Sequence, residues 1–249
     1  MTMLETQPER FWTLDGCNNF RDLGGLRTGT GAALRGRRLF RSDSLTAASD
    51  RDRERLRDLG LVTVLDLRAE HEVSLGGRYH DDGVTVHSLP FGDLLEPATD
   101  WAAWNDSDYV AGRYFDLCVT ARDSIMESLA ILTDPAVYPA VIHCSLGKDR
   151  TGMLVAVLLR ALGVPARDII DEYALSRLGA LRIVARLREQ MGDDVDDLEP
   201  YLPALLHAEP ETMRRFLRRM HDDFDGVAGY LRELGILSSV GHLRAALLQ

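Results

Sequence analysis

Lysine is almost missing from this sequence of 249 residues. Lys148 is the single lysine among 29 lysine and arginine residues, so arginine supplies nearly all of the positive charge. Positive charge is also in the minority, because the formal net charge is -10 at pH 7. That balance argues against a general nucleic-acid binder, which would need a basic surface. It is compatible with an anionic substrate, because a local positive pocket can form on an acidic protein.

Long hydrophobic runs and closely spaced cysteines are missing too. No stretch approaches the 18 or so consecutive apolar residues of a membrane-spanning helix, so we expect no integral membrane segment. The first ten residues lack a basic start followed by an apolar run, and we therefore expect no signal peptide. Cys17, Cys118 and Cys144 are an odd number at wide spacing, which argues against a disulfide framework. The expected location is cytoplasmic, although export without a signal peptide is compatible with the same features.

The chain alternates predicted strands and helices and then becomes wholly helical. Apolar or alternating runs predict strands at 37–43, 61–68, 84–90 and 140–144. Helical spacing predicts a capped helix at about 50–59, one long or broken helix over 108–134 and an apolar helix over 151–163. Beyond Val164 the pattern is helical throughout. This order predicts an α/β sheet followed by a C-terminal helical lobe at about 164–249.

The motif HCSLGKDRTG (143–152) lies where a predicted strand ends and a predicted helix begins. In that arrangement several backbone N–H groups and the positive end of the helix point at one spot above Cys144. The same field stabilises a thiolate, so Cys144 is expected to be a nucleophile at neutral pH. Arg150 can hold two oxygens of a phosphoryl group with its forked guanidinium. The motif therefore predicts a loop that binds a phosphate dianion in line with a sulfur atom.

The other residues of the motif have supporting roles in this interpretation. Gly147 lets the backbone approach the anion, Thr151 offers a hydroxyl near the sulfur, and His143 is expected to brace the loop through hydrogen bonds. The remaining residues of the loop are Ser145, Leu146 and Lys148. A lone cysteine at the end of a buried strand is more often a small hydrophobic residue. The combination of HC, an arginine six residues after the cysteine, and the intervening glycine is rare by chance and favours the phosphate loop.

Segments spread over most of the chain resemble one enzyme family. HC, five residues, then arginine and threonine is similar to the signature of the cysteine-dependent phosphatases. The other segments resemble the atypical bacterial tyrosine phosphatase family with the NFRDLGG motif. They are NNFRDLGGLRT (18–28), GRRLFRSDSL (36–45), LGLVTVLDLRAEHE (59–72), DEYALS (171–176) and FDGVAGYLRELGI (224–236).

The resemblance implies a fold and an activity. The fold would be a phosphatase-type α/β fold, a central, mostly parallel sheet flanked by helices, in one catalytic domain over 1–249 with a lid in the helical lobe. The activity would be hydrolysis of phosphomonoesters through a phospho-cysteine intermediate, with no metal ion and no other cofactor. Phosphotyrosine proteins and phosphoinositides are the substrate classes implied, and nucleic acid is not an expected partner.

Two aspartates are candidates for the acid that protonates the leaving oxygen. Asp149 lies beside Arg150 inside the loop, and the resemblance favours the aspartate at this position. Asp93 follows a predicted strand, where other phosphatases keep a mobile acid, and is otherwise a turn or helix-cap residue. Asp66, at the end of the strand TVLDLR, matches the family aspartate that orients the loop arginine. It would otherwise pair with a neighbouring arginine such as Arg68.

The single lysine needs its own explanation. An ammonium group is a compact charge on a flexible stem, whereas a guanidinium is a bulky planar fork, and Arg150 already supplies the fork. We therefore expect Lys148 at the rim of the site, where it could reach a second phosphate of the substrate. Phosphoinositide phosphatases resemble this loop in having a lysine at the equivalent place. The alternative is that Lys148 only adds charge to the loop.

Two other functions compete with the phosphatase interpretation. A phosphate-recognition module without turnover would fit the same loop, but such a module usually lacks one of Cys144, Asp149 and Arg150. A redox or arsenate-reducing protein would need a resolving cysteine close to Cys144, and none lies within 25 residues of it in the sequence.

Overall fold

Five strands form the central sheet of the computed structural model, which describes residues 10–92, 100–191 and 199–249. The strands are β1 (Arg21–Asp22), β2 (Leu39–Ser42), β3 (Thr63–Asp66), β4 (Thr85–Ser88) and β5 (Ala140–His143). Their spatial order is β1-β2-β5-β3-β4. The short β1 is antiparallel to β2, whereas the β2–β5, β5–β3 and β3–β4 pairs are parallel. The predicted α/β fold with a mostly parallel sheet is confirmed.

The three central strands are buried over their whole length. Parallel strands covered on both faces are apolar and rich in β-branched residues, as in the sequences TVLD and AVIH. Their register aligns Ser42, His143 and Asp66 at the carboxyl ends of β2, β5 and β3. Ligands of open α/β sheets bind outside this edge, so the loop that follows His143 lies where a site is expected.

Eleven helices are found among the described residues. The first four are α1 (Asp50–Leu59), α2 (Glu70–Gly76), α3 (Ser107–Thr120) and α4 (Arg122–Ile131). The next four are α5 (Asp149–Leu162), α6 (Ala166–Ala174), α7 (Ser176–Met191) and α8 (Leu202–Leu206). The last three are α9 (Pro210–Phe224), α10 (Gly226–Glu233) and α11 (Val240–Leu247). None of the helices in this part of the chain has the length and apolar character needed to cross a membrane.

Local sequence signals explain where several helices begin and end. The hydroxyl of Ser49 and the carboxylate of Asp52 form a capping box at the start of α1, and Gly60 ends this helix in the left-handed conformation. The helix predicted over 108–134 as long or broken is broken into two, α3 and α4. Ala121 leaves helical geometry between them, with φ -104° and ψ 27°. This change of direction lets each helix bury its own apolar side.

Helix α5 lies in the middle of the core. Of its 14 residues, 12 are buried, which explains why almost every side chain in MLVAVLLRAL is apolar. The helix packs in the large apolar cluster together with side chains from β3, β5 and α3. Because the body of α5 is held on all sides, its first turn has a fixed position at the edge of the sheet. The functional residues of the motif lie in that turn and just before it.

The helical lobe packs against this core. Helix α9 packs on α3, α6 and α10. Helix α8 lies against the 3-10 helix Trp101–Asn105, where the rings of Trp101 and Tyr201 meet edge to face with centroids 4.8 Å apart. This arrangement places α8 beside the loop that precedes α5.

Candidate active site

The loop from Cys144 to Lys148 joins the end of β5 to the start of α5. Cys144 lies at its base and is only 2% exposed. The N-terminus of a long helix and the neighbouring peptide N–H groups form a binding place for an anion. The predicted strand, loop and helix are all present, with Cys144 at the start of the loop and Asp149 and Arg150 in the first turn of α5.

The backbone carbonyl groups of the loop are held from the side of the N-terminal segment. The Nδ2 group of Asn19 donates to the oxygens of Leu146 and Gly147, at 2.9 and 3.1 Å. The Nη2 group of Arg41 also donates to the oxygen of Gly147, at 2.7 Å. In a trans peptide the N–H and C=O groups point in opposite directions. Fixing the carbonyls on this side therefore turns the N–H groups towards the space above the cysteine.

Gly147 is required by this close approach. Its φ is +63°, and a Cβ atom at this position would lie 2.1 Å from the carbonyl oxygen of Ser42. Only glycine adopts this conformation without strain and also allows such close contact. Glycine was expected here to let the backbone approach an anion. The structure shows a second need for it, because it lets the loop pack against the end of β2.

A buried cluster of charges holds Arg41 under the loop. The Glu172 carboxylate accepts hydrogen bonds from Arg21 Nε at 2.7 Å and from Arg41 Nη1 at 2.6 Å. Burial disfavours the charge on Glu172, but the two guanidinium groups outweigh this and lower its pKa to about 2. Ser176 adds a hydroxyl that accepts from Arg21 Nη2 at 2.9 Å. The DEYALS segment, from the end of α6 to the start of α7, and the NFRDLGG segment are therefore joined beneath the loop.

Arg150 is held on its other side by Glu72 of α2. Both terminal nitrogens of Arg150 donate to the Glu72 carboxylate, Nη2 at 2.7 Å, and the Ser145 hydroxyl donates to it as well. Burial opposes the Glu72 charge, yet these hydrogen bonds lower its pKa to about 2, and Arg150 has its pKa raised in turn. The Nε of Arg150 is buried and has no hydrogen-bond partner among the described residues. This N–H group is therefore available to donate a hydrogen bond to an anion bound in the loop.

Asp149 has a fixed carboxylate. Its Oδ1 accepts a hydrogen bond from the hydroxyl of Tyr114 at 2.6 Å and lies 3.5 Å from Lys148 Nζ. The hydroxyl of Tyr173 lies 2.8 Å from that of Tyr114. Asp149 is thus held at the start of α5, next to Arg150 in the sequence. The rival acid, Asp93, lies outside the described residues.

Lys148 is not at the rim, where we expected it. Its side chain has no exposed surface, its Nζ donates to the backbone oxygen of Ala204 in α8, and it lies 5.7 Å from the centre of the Trp104 ring. Burial lowers the pKa of Lys148, partly opposed by the neighbouring charge of Asp149. The flexible stem of the lysine lets the ammonium fold back under the lobe rather than reach outwards.

Asp66 also has a different partner from the one the resemblance implied. It accepts hydrogen bonds from Arg68 Nε at 2.9 Å and Nη2 at 2.7 Å, so it pairs with its neighbour rather than with Arg150. Residues two apart in an extended segment point to the same side, which makes this pairing local. His143 Nδ1 lies 3.1 Å from the oxygen of Cys144, and its Nε2 lies 3.8 Å from Asp66. His143 therefore contacts both the loop and the Asp66–Arg68 pair.

Thr151 and the two other cysteines complete the residues to be placed. The Thr151 hydroxyl is buried and has no hydrogen-bond partner in the described part of the chain. Cys17 is buried, and burial raises its pKa well above the ordinary range. Burial likewise raises the pKa of Cys118, to about 12. The raised pKa values keep both thiols protonated at neutral pH, so neither is a candidate nucleophile.

Sequence reasoning missed the partners of the loop. Glu72, Tyr173 and Glu172 lie inside segments that carry the family resemblance, but nothing in their spacing shows that they meet the loop. In the helical pattern over 108–134, Tyr114 falls among the apolar positions, which gives no sign of a polar contact. A buried tyrosine usually places its hydroxyl on a hydrogen-bond partner, and this rule is the signal that could have drawn attention to it.

Comparison with known proteins agrees with this geometry. The model of a family described as "Tyrosine phosphatase family" matches residues 12–249. Triple specificity protein phosphatase PtpB of Mycobacterium tuberculosis is 30% identical, over 94% of this chain and 98% of its own length. A tyrosine-protein phosphatase of Nostoc commune is 24% identical, over 79% of this chain and 69% of its own length. Inositol diphosphatase DSP1 of Oryza sativa subsp. japonica is 37% identical, over 33% of this chain and 36% of its own length.

The family model covers nearly the whole chain, and so does the similarity to the mycobacterial phosphatase. The protein therefore belongs to the tyrosine phosphatase family and is a cysteine-dependent phosphatase.

Proposed function

We propose that the protein hydrolyses phosphotyrosine in proteins, with Cys144 as nucleophile, Arg150 as phosphate ligand and Asp149 as general acid. One observation supports this assignment more than any other. Cys144 begins the loop, Asp149 and Arg150 form the start of α5 directly after it, and the loop carbonyls of Leu146 and Gly147 are held by Asn19 and Arg41. A recognition module would need the anion-binding loop but not a nucleophile and an acid beside it.

In the first step the Sγ of Cys144 attacks phosphorus. The S–P bond forms while the P–O bond to the leaving group breaks, and its electron pair stays on the leaving oxygen. The loop N–H groups and Arg150 Nε stabilise the equatorial oxygens of the phosphoryl group. Asp149 donates its proton to the leaving oxygen, which departs as an alcohol or a phenol.

In the second step a water molecule attacks the phospho-cysteine. Asp149, now a carboxylate, takes a proton from this water as the new P–O bond forms. The P–S bond breaks, its electrons return to sulfur, and inorganic phosphate leaves with the thiolate restored. The same aspartate thus acts as acid and then as base.

Burial of the nucleophile favours phosphotyrosine over shorter phosphorylated side chains. Cys144 is 2% exposed at the base of the loop, so the phosphoryl group must be presented on a side chain long enough to reach it. The names of the mycobacterial and Nostoc relatives support a protein phosphatase. The hydrogen bond from Lys148 to the oxygen of Ala204 supports helix α8 as part of the expected lid.

A phosphorylated inositol, as in a phosphoinositide head group, is the second candidate substrate. It is favoured by the similarity to an inositol diphosphatase, which covers a third of this chain. The buried position of Lys148 removes our earlier reason for this class, because the ammonium does not reach the rim. We therefore rank it behind phosphotyrosine.

Release of phosphate from p-nitrophenyl phosphate in the presence of EDTA tests the proposal. The wild type should turn over under chelation, and Cys144→Ser should lower turnover to the background rate. A folded wild-type protein that binds phosphate or a phosphopeptide without releasing phosphate would contradict it and would favour the recognition module. A phosphotyrosine peptide and a phosphoinositide, compared in the same assay, would then decide the substrate class.

A further inference from the structure

Two buried tyrosines form a chain of hydroxyl groups that ends at Asp149. Tyr114 of α3 donates to Asp149 Oδ1 at 2.6 Å, and the Tyr173 hydroxyl of α6 lies 2.8 Å from that of Tyr114. Both side chains are almost completely buried. The two helices that supply them are separate in sequence from the loop, so the contact exists only in the folded protein.

The direction of the two hydrogen bonds follows from the chemistry of the groups. A tyrosine hydroxyl has one proton to donate, and a carboxylate oxygen can only accept. The proton of Tyr114 is therefore used on Asp149, and Tyr173 donates to Tyr114. Burial, with the charge of Asp149 adding to it, raises the pKa of Tyr114 and Tyr173 far above neutrality, so both hydroxyls keep their protons.

The rings of the pair are fixed from several sides. Tyr114 meets Tyr173 edge to face, with centroids 6.1 Å apart, and meets Phe216 of α9 in the same way at 6.1 Å. The ring of Tyr173 lies against Gly152, where a Cβ atom would come within 3.0 Å of it. The hydroxyl chain is thus held rigidly against the first turn of α5, which contains Asp149.

We propose that Tyr114 is a positioning residue for the general acid and that Tyr173 supports it. The inference rests on the proposed function, in which Asp149 protonates the leaving oxygen. Tyr114 and Lys148 both approach Oδ1, whereas Oδ2 has no hydrogen-bond donor among the described residues. A proton on Asp149 is therefore carried by Oδ2, and the orientation of the carboxyl group is set from the opposite oxygen.

The same contact stabilises the charge that develops during the reaction. As the proton moves from Oδ2 to the leaving oxygen, the carboxyl group of Asp149 becomes a carboxylate. The hydrogen bond from Tyr114 then becomes charge-assisted, and such bonds are about twice as strong as neutral ones. The contribution of Tyr114 should consequently grow with the amount of proton transfer that the leaving group needs.

The test is the dependence of rate on the leaving group in the variant Tyr114→Phe, which removes only the hydroxyl. We expect kcat/KM for phenyl phosphate and an alkyl phosphate to fall by roughly tenfold or more, as for loss of a hydrogen bond to a charged group. The activity with p-nitrophenyl phosphate, whose leaving group needs little protonation, should change much less. Tyr173→Phe should give a smaller shift in the same direction, and it provides the test if Tyr114→Phe does not fold.

Tyr138→Phe is the matched control. Tyr138 is also buried and also donates its hydroxyl to a single acceptor, the oxygen of Leu132 at 2.6 Å, but it precedes β5 at the end of the sheet away from Cys144. It should leave the leaving-group dependence unchanged. Equal effects of Tyr114→Phe and Tyr138→Phe would overturn the inference, because they would show only a loss of packing or stability.

A double variant separates this inference from the function on which it rests. In an Asp149→Asn background, Tyr114→Phe should add no further dependence on the leaving group. If Asp149→Asn alone shows no such dependence, the assignment of Asp149 fails and the inference fails with it. If Asp149→Asn shows the dependence but Tyr114→Phe does not, the acid assignment stands and only the role of Tyr114 is overturned.

Discussion

Two glutamates lie on opposite sides of the phosphate loop and have similar electrostatics but different surroundings. Each is bound by arginine, and in each case the guanidinium contacts lower the carboxylate pKa to about 2. The Glu172 side chain is 1% exposed and binds Arg21 and Arg41, which hold the backbone. The Glu72 side chain is 19% exposed and binds Arg150, which faces the anion site.

The difference separates two tasks. Glu172 neutralises guanidinium groups that stay buried, so it should matter mainly for folding. Glu72 orients a guanidinium that also has to bind substrate, so it should matter mainly for turnover. Each buried arginine around the loop needs a carboxylate partner. A buried guanidinium without one lowers the stability of the folded protein by several kcal/mol.

The largest effect on stability is expected for Glu172→Gln, which tests the structural role of Glu172. Removing one partner of a buried ion cluster costs about 3–5 kcal/mol, because the remaining charges stay buried without compensation. Urea unfolding of the variant and the wild type measures this difference. The control is Glu209→Gln, which breaks the exposed pair with Arg177 and should change stability by less than about 1 kcal/mol. Similar, small losses in both variants would contradict a structural role for Glu172.

The second effect is a fall in stability at acid pH. The ordinary pKa of a glutamate is 4.5, and that of Glu172 in the folded protein is about 2. A lowered folded-state pKa stabilises the protein above pH 4.5, and this stabilisation is lost as the pH falls from 4.5 towards 2. At about 1.4 kcal/mol per pKa unit, the loss is of order 3 kcal/mol. Unfolding measured across this range should show a weaker pH dependence in Glu172→Gln than in the wild type, and identical slopes would argue against the shift.

The smallest effect on stability is expected for Glu72→Gln. This variant should lower turnover much more than it lowers the stability of the fold. Loss of a charged hydrogen bond to Arg150 should lower kcat/KM for p-nitrophenyl phosphate by roughly tenfold or more. Stability should fall by less than in Glu172→Gln, because the Glu72 side chain is 19% exposed and water partly screens its charge. The control on the same helix is Glu70→Gln, whose carboxylate is 79% exposed and lies 4.0 Å from Arg78. Full activity of Glu72→Gln would rule out its role in orienting Arg150.

The four longer strands, the loop and the buried helix were predictable because their signals are local, whereas the two-residue strand β1 was not predicted. Runs such as LVTVLDLR and AVIHC contain their own periodicity, and the capping box of α1 lies within four residues. The loop was predictable because Cys144 and Arg150 are six residues apart and need a strand before them and a helix after them. The resemblance of several further segments to one phosphatase family supplied the overall fold.

The side chains that surround the loop were not predictable, because their partners are distant in sequence. Arg21 meets Glu172 across 151 residues, and Arg150 meets Glu72 across 78. The position of Lys148 depends on helix α8, more than 50 residues later, which covers it. A flexible ammonium can face solvent or fold inwards, and only the packing of the lobe decides between the two.

The most direct test of the central claim is to trap the reaction intermediate. Wild-type protein mixed briefly with p-nitrophenyl phosphate, quenched and digested, should give a peptide with one phosphoryl group, and fragmentation should locate this group on Cys144. The Cys144→Ser variant should give none under the same conditions. Phosphate release by the wild type with the phosphoryl group on another residue, or without any covalent intermediate, would contradict the account.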